Sequence, residues 1–334
     1  MMKKRVMVLV GTVLAAAMMS GTAMAEASED TVVIAQAMPT LNNPWYVLFA
    51  NGSADMAEAL GAELSQVTNP GTAEWDPGSQ ISIIENLIAK KPDVIEIDPT
   101  STDGINSAVD EAMNQGIHVV MSGTKVSTTV DCSITADNYQ GGILCGEEMA
   151  KQLNGEGKIV ILDATPGRDV MQNRVDGFKS VIEQYEGIEI VAEQIANSDR
   201  AEAVTVMETI LQANADIDGV WAANDEMALG AVEALRALGM EKDVIVGGFD
   251  ATDDAVSSID AGEMNFTANQ IPYEIGVRAI AVSYMVAKDM ELPSDDISLP
   301  MSMISQDNVE EYLNEQEAQQ AATIQQVLEE YGLN

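Results

Sequence analysis

The sequence predicts an α/β protein of two doubly wound parallel-sheet lobes, and three observations carry that reading. Short apolar runs alternate with longer amphipathic runs along most of the chain, the pattern of strands covered by helices on both faces. The alternation restarts near residue 134, which makes two series and not one. The 334 residues, even without a leader, suffice for two compact domains.

The first series opens with a strand over Thr31–Ala37 and a helix over Ala50–Leu60. A strand over Glu63–Thr68 and a helix over Ser79–Lys90 follow, then a strand over Val94–Ile97, a helix over Gly104–Gln115 and a strand over Val119–Met121. The second series runs from a strand at Ile134 through a helix over Gly141–Leu153, a strand over Lys158–Leu162 and a helix over Arg174–Gln184. It continues with a strand over Glu189–Glu193, a helix over Ala201–Leu211, a strand over Gly219–Ala222, a helix over Glu226–Leu238 and a strand over Val244–Gly248. Each lobe is expected to hold about five or six strands. From Gln306 to Asn334 the chain is rich in Glu and Gln, with Val309, Leu313, Ile324 and Leu328 at helical spacing. This tail reads as one or two helices packed loosely on a lobe.

The first 25 residues have the grammar of a secretory signal peptide. Lys3, Lys4 and Arg5 precede an apolar run from Val6 to Ala17, and Ala23-Met24-Ala25 supplies an A-x-A cleavage site. The apolar run is too short to span a bilayer, and no cysteine stands at the cleavage site to take a lipid. The mature protein is therefore expected to be exported and soluble, in a periplasm or outside the cell.

Composition excludes several classes of function. The formal charge is −38, spread along the chain, which repels nucleic acid and anionic membranes and disfavours large anionic ligands. The two cysteines and single histidine make no zinc or iron–sulfur pattern, so no metal or cofactor is expected. His118 lies in an apolar run that reads as a buried strand. Cys132 precedes the lobe junction by about five residues of strand, and Cys145 follows it by eight of helix. Those distances are about 17 Å and 12 Å, so a disulfide between level thiols stands beside the simpler reading of two separate buried side chains.

Ligands of doubly wound sheets bind outside the carboxyl ends of the strands. Several polar and aromatic residues fall there: Asn43 with Trp45 and Tyr46, Asp98, Asn224 and Asp250. Each polar residue also sits where a helix N-cap belongs. Singly they read as caps; together, at one end of successive strands, they outline a cleft.

The same segments carry a family resemblance. Leu41-Asn42-Asn43-Pro44-Trp45-Tyr46, Ala136-Asp137-Asn138, the run from Asn224 to Ala231 and Gly247-Gly248-Phe249-Asp250 resemble the ribose-binding branch of the periplasmic sugar-binding proteins. The resemblance extends from about Thr31 to about Tyr312 and implies a type I solute-binding fold with a three-segment hinge. It implies an N-terminal lobe of residues 31–136 plus 271–300, a C-terminal lobe of 137–270 plus 301–312, and a helical tail of 313–334. The ligand positions it implies are Asn43, Trp45, Tyr46 and Asp98 in the first lobe, Asn224 and Asp250 in the second, and Gln270 at the hinge. Carboxylates and amides match the hydroxyls of a sugar, and flat rings cover its C–H faces; Trp45 also fits an ordinary core position.

Four positions depart from the family pattern. Gly123-Thr124 stand where an Asp-Arg pair is common, Gln172 where a ligand arginine falls, Ser198 where an aromatic falls, and Asp98 in place of an Asn. Arg168 lies in the same loop as Gln172 and is a candidate to restore one positive group. With Asp98 and Asp250 inside and no assured arginine, the ligand expected is a neutral or cationic sugar or polyol, neither ribose nor a sugar phosphate or acid. The implied partner is the membrane permease of an ABC importer, or a chemoreceptor or sensor kinase on the same fold. No catalytic elbow, Walker loop or dinucleotide fingerprint is present, and the neighbouring acids Asp253–Asp254 and Glu147–Glu148 read as solvated helix surface, so no enzymatic activity is expected.

Overall fold

A computed structural model describes residues 31–334 apart from 71–74, 165 and 241. The expected leader lies outside the described residues. Among them no helix is long and apolar enough to cross a membrane.

The chain runs β1 (Val33–Met38), α1 (Pro44–Leu60), β2 (Glu63–Thr68), α2 (Pro77–Lys90), β3 (Val94–Ile97), α3 (Asn106–Asn114), β4 (His118–Ser122) and β5 (Cys132–Ala136). It continues α4 (Asn138–Gln152), β6 (Glu156–Asp163), α5 (Asp169–Ile182), β7 (Gly187–Ile195), α6 (Arg200–Ala213), β8 (Gly219–Ala222), α7 (Asp225–Ala237), β9 (Ile245–Asp250), α8 (Asp253–Asp260) and β10 (Phe266–Asn269). It ends α9 (Pro272–Ala287), β11 (Asp296–Leu299), β12 (Ser302–Ser305) and α10 (Val309–Tyr331).

Two six-stranded sheets result, ordered β11-β5-β4-β3-β1-β2 and β12-β10-β9-β8-β6-β7. Every pairing is parallel except β10–β12. The two α/β lobes follow the fold class that the alternating pattern predicts. Strand order reverses between β1 and β3 in one sheet and between β6 and β8 in the other, which marks where a cleft forms. The chain passes from one sheet to the other after β5, after β10 and between β11 and β12. In the first lobe α1 and α9 meet backbone to backbone, since a Cβ on Gly276 would run into the Phe49 carbonyl. In the second lobe the Phe178 and Trp221 rings stack at 4.2 Å, deep in the core.

Two expectations need correction. The tail is one helix, α10, and it packs on both lobes. Val309 belongs to the core of the second lobe, whereas Val327 and Tyr331 belong to the core of the first. Arg278 of α9 holds the far end, pairing with Glu330 at 2.9 Å and donating to the Tyr331 hydroxyl at 2.9 Å. The cysteines form no disulfide. Both are buried free thiols, with Cys132 in the core of the first lobe and Cys145 in that of the second. Level positions along the chain mean nothing once the segment between them carries it into a different sheet.

Glu96 is an unusual charge for a strand interior. It lies at the centre of β3 with no exposure, accepts a hydrogen bond from Ser122, and leaves Oε2 without a partner. Burial pushes its carboxyl up to about 8. The folded state then binds a proton that the unfolded chain has released above its ordinary value of 4.5. Stability from this group therefore falls as pH rises from about 4.5 to about 8. Glu96→Gln should match wild type in thermal melts near pH 4.5 and exceed it by on the order of a few kcal/mol at pH 8. Parallel pH profiles would refute the assignment.

Candidate functional site

A cavity between the two sheets is lined from both lobes, and its residues follow the carboxyl ends of the strands. After β1 come Asn43, Trp45 and Tyr46; after β2, Trp75; after β3, Asp98; after β4, Gly123. From the second lobe come Arg168, Val170, Met171 and Arg174 after β6, Ser198 after β7, Asn224 after β8, Asp250 at the end of β9 and Gln270 after β10. About 380 Å³ of empty space lies within, counted to the mouth.

The aromatic wall belongs to the first lobe. Asn43 caps α1, its side chain accepting from the Trp45 N–H at 2.9 Å, and Pro44 occupies the first helical turn. Helical spacing then stacks Trp45 on Phe49, 5.4 Å between centroids at 15°, with Tyr46 edge-on to Trp45 at 4.8 Å. Trp45 is thus a core residue and a cavity wall at once. Its indole Nε1 is buried with no partner. Trp75 stands 6.1 Å from Tyr46 and was not anticipated, although it is one of only three tryptophans and closely follows a strand.

Asp98 is 1% exposed. The buried Gln80 of α2 fixes the turn beneath it, donating to the Asp98 carbonyl at 2.7 Å and accepting from the Thr100 N–H at 2.8 Å. Gly123 has φ +65°, and a Cβ there would lie 2.6 Å from Asp98 Oδ2. The aspartate can occupy this place only beside a glycine. Thr124 stands behind the cavity wall, its N–H directed at Asp98 Oδ1 at 3.4 Å. Burial raises the Asp98 carboxyl to about 6, with Arg168 and a hydrogen bond from Tyr46 pulling the other way.

In the second lobe, Arg174 is the organising group. Its Nε donates to Asn138 Oδ1 at 2.9 Å, and Nη1 donates to the Ala223 carbonyl at 2.7 Å and to Asp250 Oδ1 at 3.1 Å. The guanidinium lies 4.0 Å over the Phe249 ring. Gln270 also donates to Asp250 Oδ1. Asp250 is raised to about 6 by burial, against the pull of Arg174. Asn224 caps α7, accepting from the Met227 N–H at 3.0 Å, while its amide nitrogen donates to the Ser198 carbonyl at 3.4 Å.

Gln172 is the anticipated residue that the structure places elsewhere. It is exposed and bonded to Asp176 at 2.8 Å. On α5 a step of two residues turns a side chain by about 200°, so Gln172 and Arg174 lie on nearly opposite faces. The expectation of a site without assured arginines is corrected with it, since Arg168 and Arg174 both line the cavity. Arg174→Met should cost about 3–5 kcal/mol of stability in denaturant melts, because Asp250 would stay buried without its counter-charge. A loss below about 1 kcal/mol would mean that Asp250 does not depend on the pair.

The sequence profile of the periplasmic binding protein domain matches residues 34–291. The ribose import binding protein of Haemophilus influenzae is 30% identical over 296 residues, covering 88% of this chain and 99% of that one. A solved Actinobacillus succinogenes solute-binding protein with bound D-allose superimposes with a TM-score of 0.80 at 27% identity, over 84% of this chain and all of the other. A Bacillus halodurans protein with bound myo-inositol gives 0.77 at 30% identity, over 86% and 98% of the respective chains. The chain belongs to the ribose-binding-like branch of the periplasmic sugar-binding proteins.

Proposed function

We propose that this chain is an extracytoplasmic solute-binding protein that closes on a neutral or cationic monosaccharide or polyol and presents it to the permease of an ABC importer. One observation carries the choice of ligand. Each cavity carboxylate is matched by an arginine, Asp98 by Arg168 at 3.4 Å and Asp250 by Arg174 at 3.1 Å, and all four side chains are buried. No positive charge is left over to meet a phosphate or a sugar acid, and an added anion would lose its water without gaining a partner. The expectation of a neutral or cationic ligand stands on this matching of charges, and no longer on missing arginines.

The remaining chemistry suits a ring that carries many hydroxyls. Asp98 Oδ2 and Trp45 Nε1 are a buried acceptor and a buried donor without protein partners. A hydroxyl satisfies either one. Trp45, Tyr46 and Trp75 offer flat apolar surface to the C–H faces. The same arrangement supports binding and not catalysis, because both carboxylates are held in ion pairs and neither stands free as an acid or base. Two related proteins were solved with D-allose and with myo-inositol, neutral rings that carry many hydroxyls.

A thermal-shift panel of pentoses, hexoses, inositols, amino sugars, sugar acids and sugar phosphates tests the reading. A ligand at about a thousand times its Kd adds about 4 kcal/mol, which moves the Tm by several degrees. The expected hit is neutral or cationic; stabilisation by acids or phosphates alone would sink the proposal. With Asp98 and Asp250 both near 6, affinity for that hit should hold at pH 7.5 and fall at pH 5, where both carboxylates take up protons. Calorimetry at the two pH values checks the sign, and equal affinities would mean that neither carboxylate receives the ligand as an anion.

A further inference from the structure

Three consecutive residues of the second lobe, Gly167, Arg168 and Asp169, are bonded directly to the first. The Gly167 carbonyl accepts from the Thr102 N–H at 2.9 Å, and the Asp169 N–H donates back to Thr102 Oγ1 at 3.0 Å. Asp169 Oδ1 accepts from the Lys125 N–H at 3.2 Å. Between them Arg168 reaches across the cavity. Its Nε donates to Thr124 Oγ1 at 2.9 Å, and Nη2 lies 3.3 Å from the Tyr46 hydroxyl and 3.4 Å from Asp98 Oδ1. The guanidinium also sits 4.8 Å from the centre of the Trp75 ring. Every one of these partners belongs to the first lobe, and none of the contacts lies at a point where the chain crosses between the sheets.

We propose that Gly167–Arg168–Asp169 is a clasp that holds the lobes together through the protein's own hydrogen bonds, independently of what fills the cavity. This deepens the binding-protein reading and rests on it. Closure driven by a ligand alone would need only side chains that touch that ligand. Here two of the bonds are made by Thr102 and one by the Lys125 amide, groups that do not line the cavity. The backbone partners matter most, because they fix the loop at one register against the first lobe. Arg168 has a second role as a positioning residue. It occupies Asp98 Oδ1, while Oδ2 stays buried without a partner, so the free oxygen of the carboxylate is defined only while the clasp is shut.

The clasp also limits what closure can gain. Opening returns Arg168 and Asp98 to water, so their desolvation offsets much of their attraction. The neutral bonds to Thr102 and Thr124 contribute modestly, each at the level of an ordinary protein hydrogen bond. Together they should bias the ligand-free protein toward the closed form without locking it, by roughly tenfold in the closed-to-open ratio.

The test needs no sugar. The mature chain is unfolded in guanidinium, dialysed to remove any carried-over solute, refolded and measured by small-angle X-ray scattering. Arg168→Met removes the guanidinium bonds of the clasp, and Thr102→Val removes the hydroxyl that accepts from Asp169 on the other lobe, so misfolding of one variant does not leave the idea untested. Both variants should show a larger radius of gyration than wild type, each losing a few-fold in the closed-to-open ratio and the two together about tenfold. Superimposable scattering from wild type and a folded variant would overturn the clasp. That failure is distinct from failure of the binding reading, which the ligand panel decides separately.

Discussion

A carboxylate buried at the carboxyl end of a parallel strand has to be neutralised where it stands, and the cleft of this protein is arranged around that requirement. Asp250 ends β9 and takes its counter-charge from Arg174 within its own lobe. Asp98 follows β3 and takes its counter-charge from Arg168 in the other. The Arg174–Asp250 pair is held inside one lobe by Asn138 and the Ala223 carbonyl. The Arg168–Asp98 pair spans the two lobes. One carboxylate therefore has its charge balance within its own lobe, and the other draws it from across the cavity.

Capping and ligand binding are compatible uses of one side chain. Asn43 and Asn224 each spend their amide oxygen on the first turn of a helix, and each still lines the cavity. An asparagine whose oxygen has capped still carries an NH2 group to donate, which a capping aspartate lacks. Asn224 gives one of these bonds to the Ser198 carbonyl. The helix N-termini face the cavity because a residue at the cap is held at a fixed height above the end of the strand.

The fold was legible because its cause is local and repeated. Fully buried strands such as β3 and β8, alternating with amphipathic helices, admit few architectures other than parallel sheets covered on both faces. The strands β10, β11 and β12 are as short as β3 and β8 but mix more polar residues into the run, and β12 runs antiparallel. Residues anchored by a strand end, among them Asn43, Asp98, Asn224 and Asp250, line the cavity as the strand-end rule implies. Residues on the loop into α5 have no such anchor. The side chain that matters there is set by helical phase, and an error of two positions exchanged the buried Arg174 for the exposed Gln172. Trp75 escaped for a related reason, since it lies on a connection with no periodicity to fix it.

The C-terminal helix lies outside the residues that the family profile matches, and its packing ties it to both halves of the molecule. Its 23 residues extend about 34 Å, far enough to join two cores. The anchors are unequal. The far end is held by Val327, Tyr331 and the Arg278–Glu330 pair, whereas Val309 and Tyr312 hold the near end. Between them Gln316, Gln319, Gln320 and Thr323 line a gap opposite Asn269, Ile271 and Tyr273. Ile271, at the second crossing between the sheets, adopts a left-handed φ of +52°, uncommon for a β-branched residue, with its N–H held by Asn269 Oδ1 at 2.8 Å. Any rotation of the lobes changes the distance between the helix anchors, and the loosely filled middle is where the least packing opposes that change. A polar, glutamine-rich sequence over a strained hinge suits that position, because sliding a hydrogen-bonded surface costs less than opening an interlocked apolar one.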